Sequence, residues 1–176
     1  MDNDQNLPLN LVECNGKTPK ISKLAYIHPD ATIIGNVEIG DYSSIWGGVI
    51  IRGDDSKITI GNRTNIQENT TIHTPYNFKV KIGDNVTVAH GSVVHGCELE
   101  DLTCISVGGV VFDGASIGTG SVVDTRAFVT ENVRIPPRTL VHGNPGRPVR
   151  VITDRELKQI KLWAEWYVQK IQNQNQ

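Results

Sequence analysis

The chain contains 176 residues, with 17 basic and 19 acidic side chains and a formal net charge of −2. This length predicts one domain, and the balanced charge argues against a nucleic-acid-binding protein, which usually carries a clear basic excess. No apolar run approaches the ~20 residues of a membrane span, so we expect no membrane insertion. The three cysteines lack the spacing of a disulfide framework and favour a reducing, cytoplasmic setting.

A six-residue repeat of aliphatic side chains extends from residue 27 to residue 141. Four residues beyond most of these positions lies a small or β-branched residue. Neither an α-helix nor a simple alternating strand has this period. It predicts an all-β left-handed parallel β-helix, a triangular prism in which each hexapeptide forms one short strand and three strands complete one coil. The repeating positions are Ile27, Ile33, Ile39, Ile45, Ile51, Ile60, Ile66, Ile72, Ile82, Val88, Val94, Leu99, Ile105, Val111, Ile117, Val123, Val129, Ile135 and Val141.

The three faces of this prism are labelled in chain order. Face A begins with the strand of Ile27, face B with that of Ile33 and face C with that of Ile39. Glycine recurs directly after the face C aliphatics, which predicts a corner where the backbone needs a positive φ. The glycines of this column are Gly40, Gly61, Gly83 and Gly118.

Both ends of the chain depart from the repeat. Residues 1–20 are expected to form an N-terminal arm or a loosely packed cap, residues 21–150 the β-helix, and residues 151–176 a C-terminal α-helix. Two prolines in HGNPGRPVR end the coils. Thr153 and Glu156 then form a capping box, with Thr at the N-cap and Glu at N3.

The predicted helix is amphipathic, with Leu157, Ile160, Ala164, Tyr167 and Ile171 at a spacing of three to four residues. We expect its apolar stripe to pack on the prism or on a neighbouring subunit. A site for an aromatic ligand beside the helix tryptophans is the less favoured interpretation.

Polar side chains interrupt the pattern on face B, where Arg52, His73 and His95 follow the aliphatic residues of successive coils, about 4.8 Å apart. Two stacked imidazoles are well placed to share a metal ion. His90 lies on face A, across a corner, where it could meet the histidines of another subunit, and three such contacts would close a trimer. Solvated or structurally bonded histidines are the alternative, and this is what we expect of His28 and His142.

Other polar residues surround this column. Gln67 falls on face A at the level of His73. Arg52 precedes Asp54 and Asp55 in the segment RGDD, which is either a solvated loop or a charge-assisted pair at a subunit interface.

The segments HPDATIIGNVEIGDYSSIW, VIIRGDDSKITIGNRTNIQENTTIH, IGDNVTVAHGSVVHGCELED and GNPGRPVR resemble the γ-class carbonic anhydrases, over about residues 21–171. The resemblance implies a homotrimer that hydrates CO2 to bicarbonate, with zinc, or alternatively ferrous iron or cobalt, at each subunit interface. It implies that His73 and His95 come from one subunit and His90 from its neighbour. By similarity, Arg52 and Asp54 would form an intersubunit pair, and Gln67 would hydrogen-bond metal-bound hydroxide.

The sequence also departs from the family pattern. The fully active archaeal type has an acidic loop with a proton-shuttling Glu, whereas TPYNFKVK, between His73 and Ile82, contains no acid. Asp55 stands where those enzymes have a Glu, and Glu68 replaces the commoner Asp, so these two carboxylates are the candidates for carrying the proton. A metal-stabilised trimeric scaffold with little or no turnover is therefore the main alternative. A hexapeptide acyltransferase is less favoured, because neither insertion carries the His that such enzymes place on an extended loop.

Overall fold

The computed structural model describes residues 10–174. Within this range the backbone forms twenty strands and one helix. The strands are β1 (Asn10–Val12), β2 (Lys20–Ile21), β3 (Tyr26–Ile27), β4 (Thr32–Ile39), β5 (Ser44–Ile45), β6 (Ile50–Ile60), β7 (Asn65–Ile66), β8 (Thr71–His73), β9 (Val80–Ile82), β10 (Thr87–Val88), β11 (Val93–His95), β12 (Glu98–Leu99), β13 (Cys104–Ile105), β14 (Val110–Val111), β15 (Ser116–Ile117), β16 (Val122–Val123), β17 (Phe128–Val129), β18 (Arg134–Ile135), β19 (Thr139–His142) and β20 (Arg147–Val151). The helix is α1 (Asp154–Gln174).

The strands stack as the coils of a left-handed parallel β-helix of about seven turns, which confirms the predicted fold. Face A is an eight-stranded sheet in the order β20-β19-β16-β13-β10-β7-β5-β3. Faces B and C form one twelve-stranded sheet, because the long strands β4 and β6 continue round the corner between them. Pairing is parallel on all three faces except between β19 and β20.

The aliphatic repeat forms the core, and all nineteen of its positions are buried. Full burial of an Ile or Val side chain stabilises a fold by roughly 1.5–3 kcal/mol, so a continuous column of such residues supplies most of the driving force. Ile58 and Val80, which follow the two insertions, are also buried: Ile58 pairs with Val37 in the preceding coil, and Val80 pairs with Ile58. Most of the described chain thus contributes to one prism.

The prediction of positive φ at the glycine column is wrong. Positive φ falls instead two residues later, for example at Arg63 and Asn85. Gly61 is needed for space, because a Cβ there would lie 2.7 Å from the carbonyl of Gly83 in the next coil. The column allows the backbones of successive coils to approach closely at this corner.

The described part of the N-terminal segment pairs with the prism. β1 forms a parallel ladder with Thr32–Ile34 of β4, and β2 pairs with the other end of β4. β2 therefore crosses the predicted boundary at residue 20. Residues 1–9 lie outside the described range.

At the other end the chain reverses after β19, and β20 runs antiparallel to it. Helix α1 begins at Asp154, three residues after the predicted boundary. The capping box is confirmed: the Thr153 N–H donates to the Glu156 carboxylate at 2.9 Å, and the Glu156 N–H donates to Thr153 Oγ1 at 3.3 Å. The buried stripe of α1 contacts β5 and β10 of face A. Among residues 10–174, no helix is both long and apolar enough to cross a membrane.

Candidate metal centre

The predicted column on face B is present in the structure. Parallel pairing of β6, β8 and β11 places Arg52 beside His73 and His73 beside His95. His73 Nδ1 lies 2.9 Å from His95 Nε2, and the two ring centroids are 4.9 Å apart. We call His73 and His95 the histidine pair.

His90 lies on face A, two residues after β10, and its side chain is 53% exposed. Its Nδ1 atom is 2.7 Å from Glu68 Oε2, which lies one coil below. Among residues 10–174, the one group of three candidate ligand atoms within 4.8 Å of one another is Asp54, Asp55 and His73. A single chain therefore brings two of the predicted ligands together and leaves His90 apart from them.

The carboxylates of Asp54 and Asp55 lie beside Nε2 of His73. Arg52 Nη1 donates to Asp54 Oδ2 at 2.7 Å, so this pair forms within one chain, and the intersubunit pairing implied by the resemblance stays a prediction. Asp54 Oδ1 lies 3.4 Å from His73 Nε2, and both atoms are buried without a hydrogen-bond partner in the described range. Asp55 Oδ2 lies 4.0 Å from the same nitrogen, at the solvent edge.

The surroundings lower the pKa of both His73 and Asp54. Burial lowers the pKa of His73, and the positive charge of Arg52 lowers it further. Burial alone would raise the pKa of Asp54, but a backbone hydrogen bond and Arg52 outweigh it, so the pKa lies below its usual value. A neutral imidazole is the form that binds metal.

These donors fit a metal ion. His73 Nε2 is buried with its hydrogen-bonding capacity unused, and His95 Nε2 faces the other ring nitrogen of His73, Nδ1, across 2.9 Å. Imidazole nitrogens suit zinc and neighbouring divalent metals. His28 and His142 are not part of such a pair: His28 Nδ1 accepts the Asp30 N–H, and His142 Nδ1 lies 2.9 Å from Asp124 Oδ2.

Gln67 occupies face A beneath Ala89 and is buried. Its Nε2 donates to Asn65 Oδ1 at 2.9 Å, and Asn65 in turn donates to Thr87 Oγ1. This chain of hydrogen bonds fixes the orientation of the Gln67 amide and engages its nitrogen.

An apolar groove of about 730 Å³ runs between face A and helix α1, next to Gln67 and Ala89. Large exposed side chains line it, including Val107, Leu162, Trp163 and Trp166. Tyr167, in the C-terminal half of α1, packs edge-on against Trp46. Burial raises the pKa of the Tyr167 hydroxyl, and the nearby Glu68 carboxylate raises it further. The helix therefore packs on the prism as expected, while its tryptophans stay exposed.

Comparison with known proteins identifies the family. Residues 18–53 match the bacterial transferase hexapeptide (six repeats) family. A probable carbonic anhydrase of Methanocaldococcus jannaschii is 45% identical over 148 residues, which cover 84% of this chain and 93% of that protein. The chain belongs to the γ-carbonic anhydrase family. A mitochondrial γ-carbonic anhydrase 2 of Arabidopsis thaliana is 40% identical over 86% of this chain, which spans 57% of the length of that plant protein.

The same fold is shared with other hexapeptide-repeat proteins. The crystal structure of a hexapeptide transferase family protein from Anaplasma phagocytophilum superimposes with a TM-score of 0.89 at 34% identity. The match covers 93% of this chain and 96% of that one.

The loop after His73 is compact and closed by its own hydrogen bond. Thr74 Oγ1 donates to the Phe78 carbonyl at 2.6 Å, which closes the loop on itself, and Tyr76 at its tip is exposed. No carboxylate lies between Thr74 and Lys81. The loop is compact and carries no acid that could receive a proton.

Two polar residues that the sequence analysis did not single out contact the predicted site residues. Asn65 holds the Gln67 amide, and Asp113 Oδ1 lies 2.5 Å from His95 Nδ1. The sequence signal for Asp113 was its position one coil above Gly96, the residue that directly follows the candidate ligand His95. It becomes visible only when the register of β11 and β14 is known.

Proposed function

We propose that the chain catalyses the reversible hydration of carbon dioxide to bicarbonate at a divalent metal ion held between subunits of a homotrimer. The observation that carries this proposal is the division of three histidines between two faces. The histidine pair lies on face B, whereas His90 points outward from face A. Rotation of a second copy about a threefold axis would bring its face A against face B of the first and complete the set.

The apolar groove on face A supports the trimer. It lies beside Gln67 and Ala89, next to His90, and exposes several large apolar side chains. Face B of a neighbour offers an aromatic surface. The ring centroids of Phe112 and His95 are 5.5 Å apart, and Phe128 packs edge-on against Phe112 with 5.0 Å between centroids. Contact between the face A groove of one subunit and face B of its neighbour would bring His90 of the first subunit to the histidine pair of the second.

We propose zinc as the metal, with ferrous iron or cobalt as alternatives. Three neutral imidazoles would leave a bound zinc ion an open coordination position, where it would lower the pKa of a coordinated water toward neutrality. His73, His90 and His95 would hold the ion. Arg52 and Asp54 would keep the neighbouring charges paired, and loss of either would leave the other partly buried and uncompensated.

Gln67 would orient the reacting water. Its amide nitrogen is engaged by Asn65, so Oε1 remains to accept an O–H from a molecule in the site. Because Asn65 is itself anchored to Thr87, this acceptor is held in place before substrate arrives. Such preorganisation lowers the cost of reaching the transition state.

The proton released by hydration would leave through Asp55 or Glu68. Asp55 is 49% exposed and lies at the edge of the site, 4.0 Å from His73. Glu68 contacts His90 on the other side of the proposed interface. A carboxylate in contact with both the site and solvent can pass protons to buffer.

The deciding experiment combines metal analysis with kinetics. Protein purified without oxygen should contain about one metal ion per subunit, as expected for three interfacial sites in a trimer, and should hydrate CO2 in a stopped-flow assay with and without added buffer. A fully metallated trimer without hydration above background at any buffer concentration would overturn the enzymatic proposal.

The second candidate function is a metal-stabilised trimeric scaffold with little turnover. The closed, acid-free loop after His73 favours it, because the loop offers no proton acceptor beside the histidine pair. An acyltransferase is the least favoured candidate, because that loop carries no His either.

A further inference from the structure

We infer that Asp113 is a positioning residue that fixes the imidazole of His95 as an Nε2 metal ligand. This inference rests on the proposed role of His95 in metal binding. The observation behind it is the 2.5 Å contact between Asp113 Oδ1 and His95 Nδ1. Both side chains are about three-quarters buried, with exposed fractions of 25% and 26%.

The backbone around His95 leaves room for this carboxylate. Gly96 follows His95 with a φ of +53°, and a Cβ at this position would lie only 2.5 Å from Asp113 Oδ1. The pairing of β11 with β14 places Asp113 directly above Gly96 in the next coil. A side chain at residue 96 would therefore push the carboxylate away from the imidazole.

Comparable side chains at other corners have a different task. The side chains of Asn62, Asp84 and Asp101 each accept a hydrogen bond from a backbone N–H of the preceding coil. Within residues 10–174, the only hydrogen bond of the Asp113 carboxylate is the one to His95. Asp113 thus serves the imidazole rather than the backbone ladder.

The chemical consequence concerns the tautomer of His95. A carboxylate accepts a hydrogen bond from Nδ1–H, so neutral His95 carries its hydrogen on Nδ1 and its lone pair on Nε2. In this structure that lone pair faces His73 Nδ1, 2.9 Å away. Phe112 stacks on the same ring and restricts its rotation. Ring orientation and tautomer are therefore set before a metal arrives, which raises affinity.

The histidine–carboxylate pair of His142 and Asp124 provides a matched control. It has the same chemistry, with 2.9 Å between Nδ1 and Oδ2, but lies away from the histidine pair. Asp113→Asn preserves size and removes charge, and Asp124→Asn does the same in the control pair. Asp113→Ala removes the acceptor altogether.

The first measurement is the zinc dissociation constant of the folded variants, determined by competition with a chelator. Asp113→Asn and Asp113→Ala should weaken zinc binding by about 10- to 100-fold, as is typical when a hydrogen-bond partner of a ligand is lost. Asp124→Asn should bind zinc like the unaltered chain. Unchanged affinity in both Asp113 variants would overturn the inference.

The second measurement uses the unaltered, metal-free protein and does not depend on activity. With five histidines in the chain, nitrogen-15 NMR of labelled imidazoles should show His95 in the Nδ1–H form, and Asp113→Asn should shift that signal. A His95 ring protonated on Nε2 would refute the inference even if the Asp113 variants failed to fold. If His95→Ala retains zinc, the proposed metal site is wrong. If it loses zinc while the Asp113 variants do not, only the positioning role is wrong.

Discussion

His73 Nδ1 lies 2.9 Å from His95 Nε2, one coil apart on the same face of the prism. This contact follows from the register, in which Ile72 is paired with Val94 and both are fully buried. Side chains one residue further along each strand must then point outward together. The core therefore aligns the two candidate ligands.

Removal of any one of the three histidines should abolish tight metal binding. We expect His73→Ala, His90→Ala and His95→Ala each to weaken zinc affinity by more than the roughly 100-fold loss typical of an outer hydrogen-bond partner, because two ligands remain. Metal content after dialysis against chelator measures the effect.

Two other histidines provide the controls for this experiment. His28 and His142 are bonded to residues of their own chain, so His28→Ala and His142→Ala should keep full metal content. Equal loss across all five variants would indicate unfolding or adventitious binding.

Mixed trimers test whether the site is shared between subunits. A site that takes the histidine pair from one subunit and His90 from the next can be rebuilt from two defective chains. Co-expression of His73→Ala with His90→Ala should restore about a quarter of the sites in randomly mixed trimers, counted from the subunit order at each interface. Metal content of the unfractionated mixture gives this measurement, and in trimers purified for both tags about one site in three should be filled.

Co-expression of His73→Ala with His95→Ala is the matched negative control. Both changes fall on the pair that one subunit supplies, so no combination rebuilds an intact site. Restoration in this control, or none in the first mixture, would contradict an interface between the histidine pair and His90. A monomer near 19.3 kDa that retains metal would contradict it as well.

The six-residue period was enough to predict the fold and the column of Arg52, His73 and His95. A strict repeat determines which residues stack, and stacking is the only information that a column requires. It could not predict backbone dihedrals at the corners, because glycine is selected there both for positive φ and for lack of a side chain. Gly61 belongs to the second kind, whereas Arg63 adopts the left-handed conformation.

Contacts between side chains of neighbouring coils were harder to predict from the sequence. Asp113 is 18 residues from His95, and their contact depends on the rotamers of both side chains and on the open space above Gly96. The pairing of Glu68 with His90 depends likewise on side chains that extend from a corner. Hydrophobic periodicity carries no information about such directions.

The glycine column leads to a prediction about stability. Gly61→Ala should destabilise the fold by about 1–3 kcal/mol, because the new Cβ would meet the backbone of the next coil and force the coils apart. Thermal or denaturant unfolding measures the loss. Gly16→Ala shows a backbone penalty without a steric clash: a Cβ there meets nothing within 4 Å, and its φ of +70° alone costs about 1–2 kcal/mol. Gly16→Ala should not push neighbouring coils apart, so this variant should retain the metal content of the unaltered protein.

Proton removal separates an enzyme from a scaffold. Hydration produces one proton in each cycle, and the acid-free loop from Thr74 to Lys81 cannot receive it. We therefore expect weak turnover in dilute buffer and a higher kcat when imidazole-type buffer is added. The CO2 step that is independent of buffer should change little.

Two variants assign the roles of Asp55 and Gln67 in this scheme. Asp55→Ala should lower kcat in dilute buffer and recover at high buffer, because external buffer replaces a partly exposed carboxylate at the edge of the site. Gln67→Ala should impair hydration at every buffer concentration, because it removes an acceptor that Asn65 holds in place. Stopped-flow measurements across a buffer series distinguish the two patterns. If Asp55→Ala were not rescued by buffer, Asp55 would have a structural role beside Arg52 and His73 instead of carrying the proton.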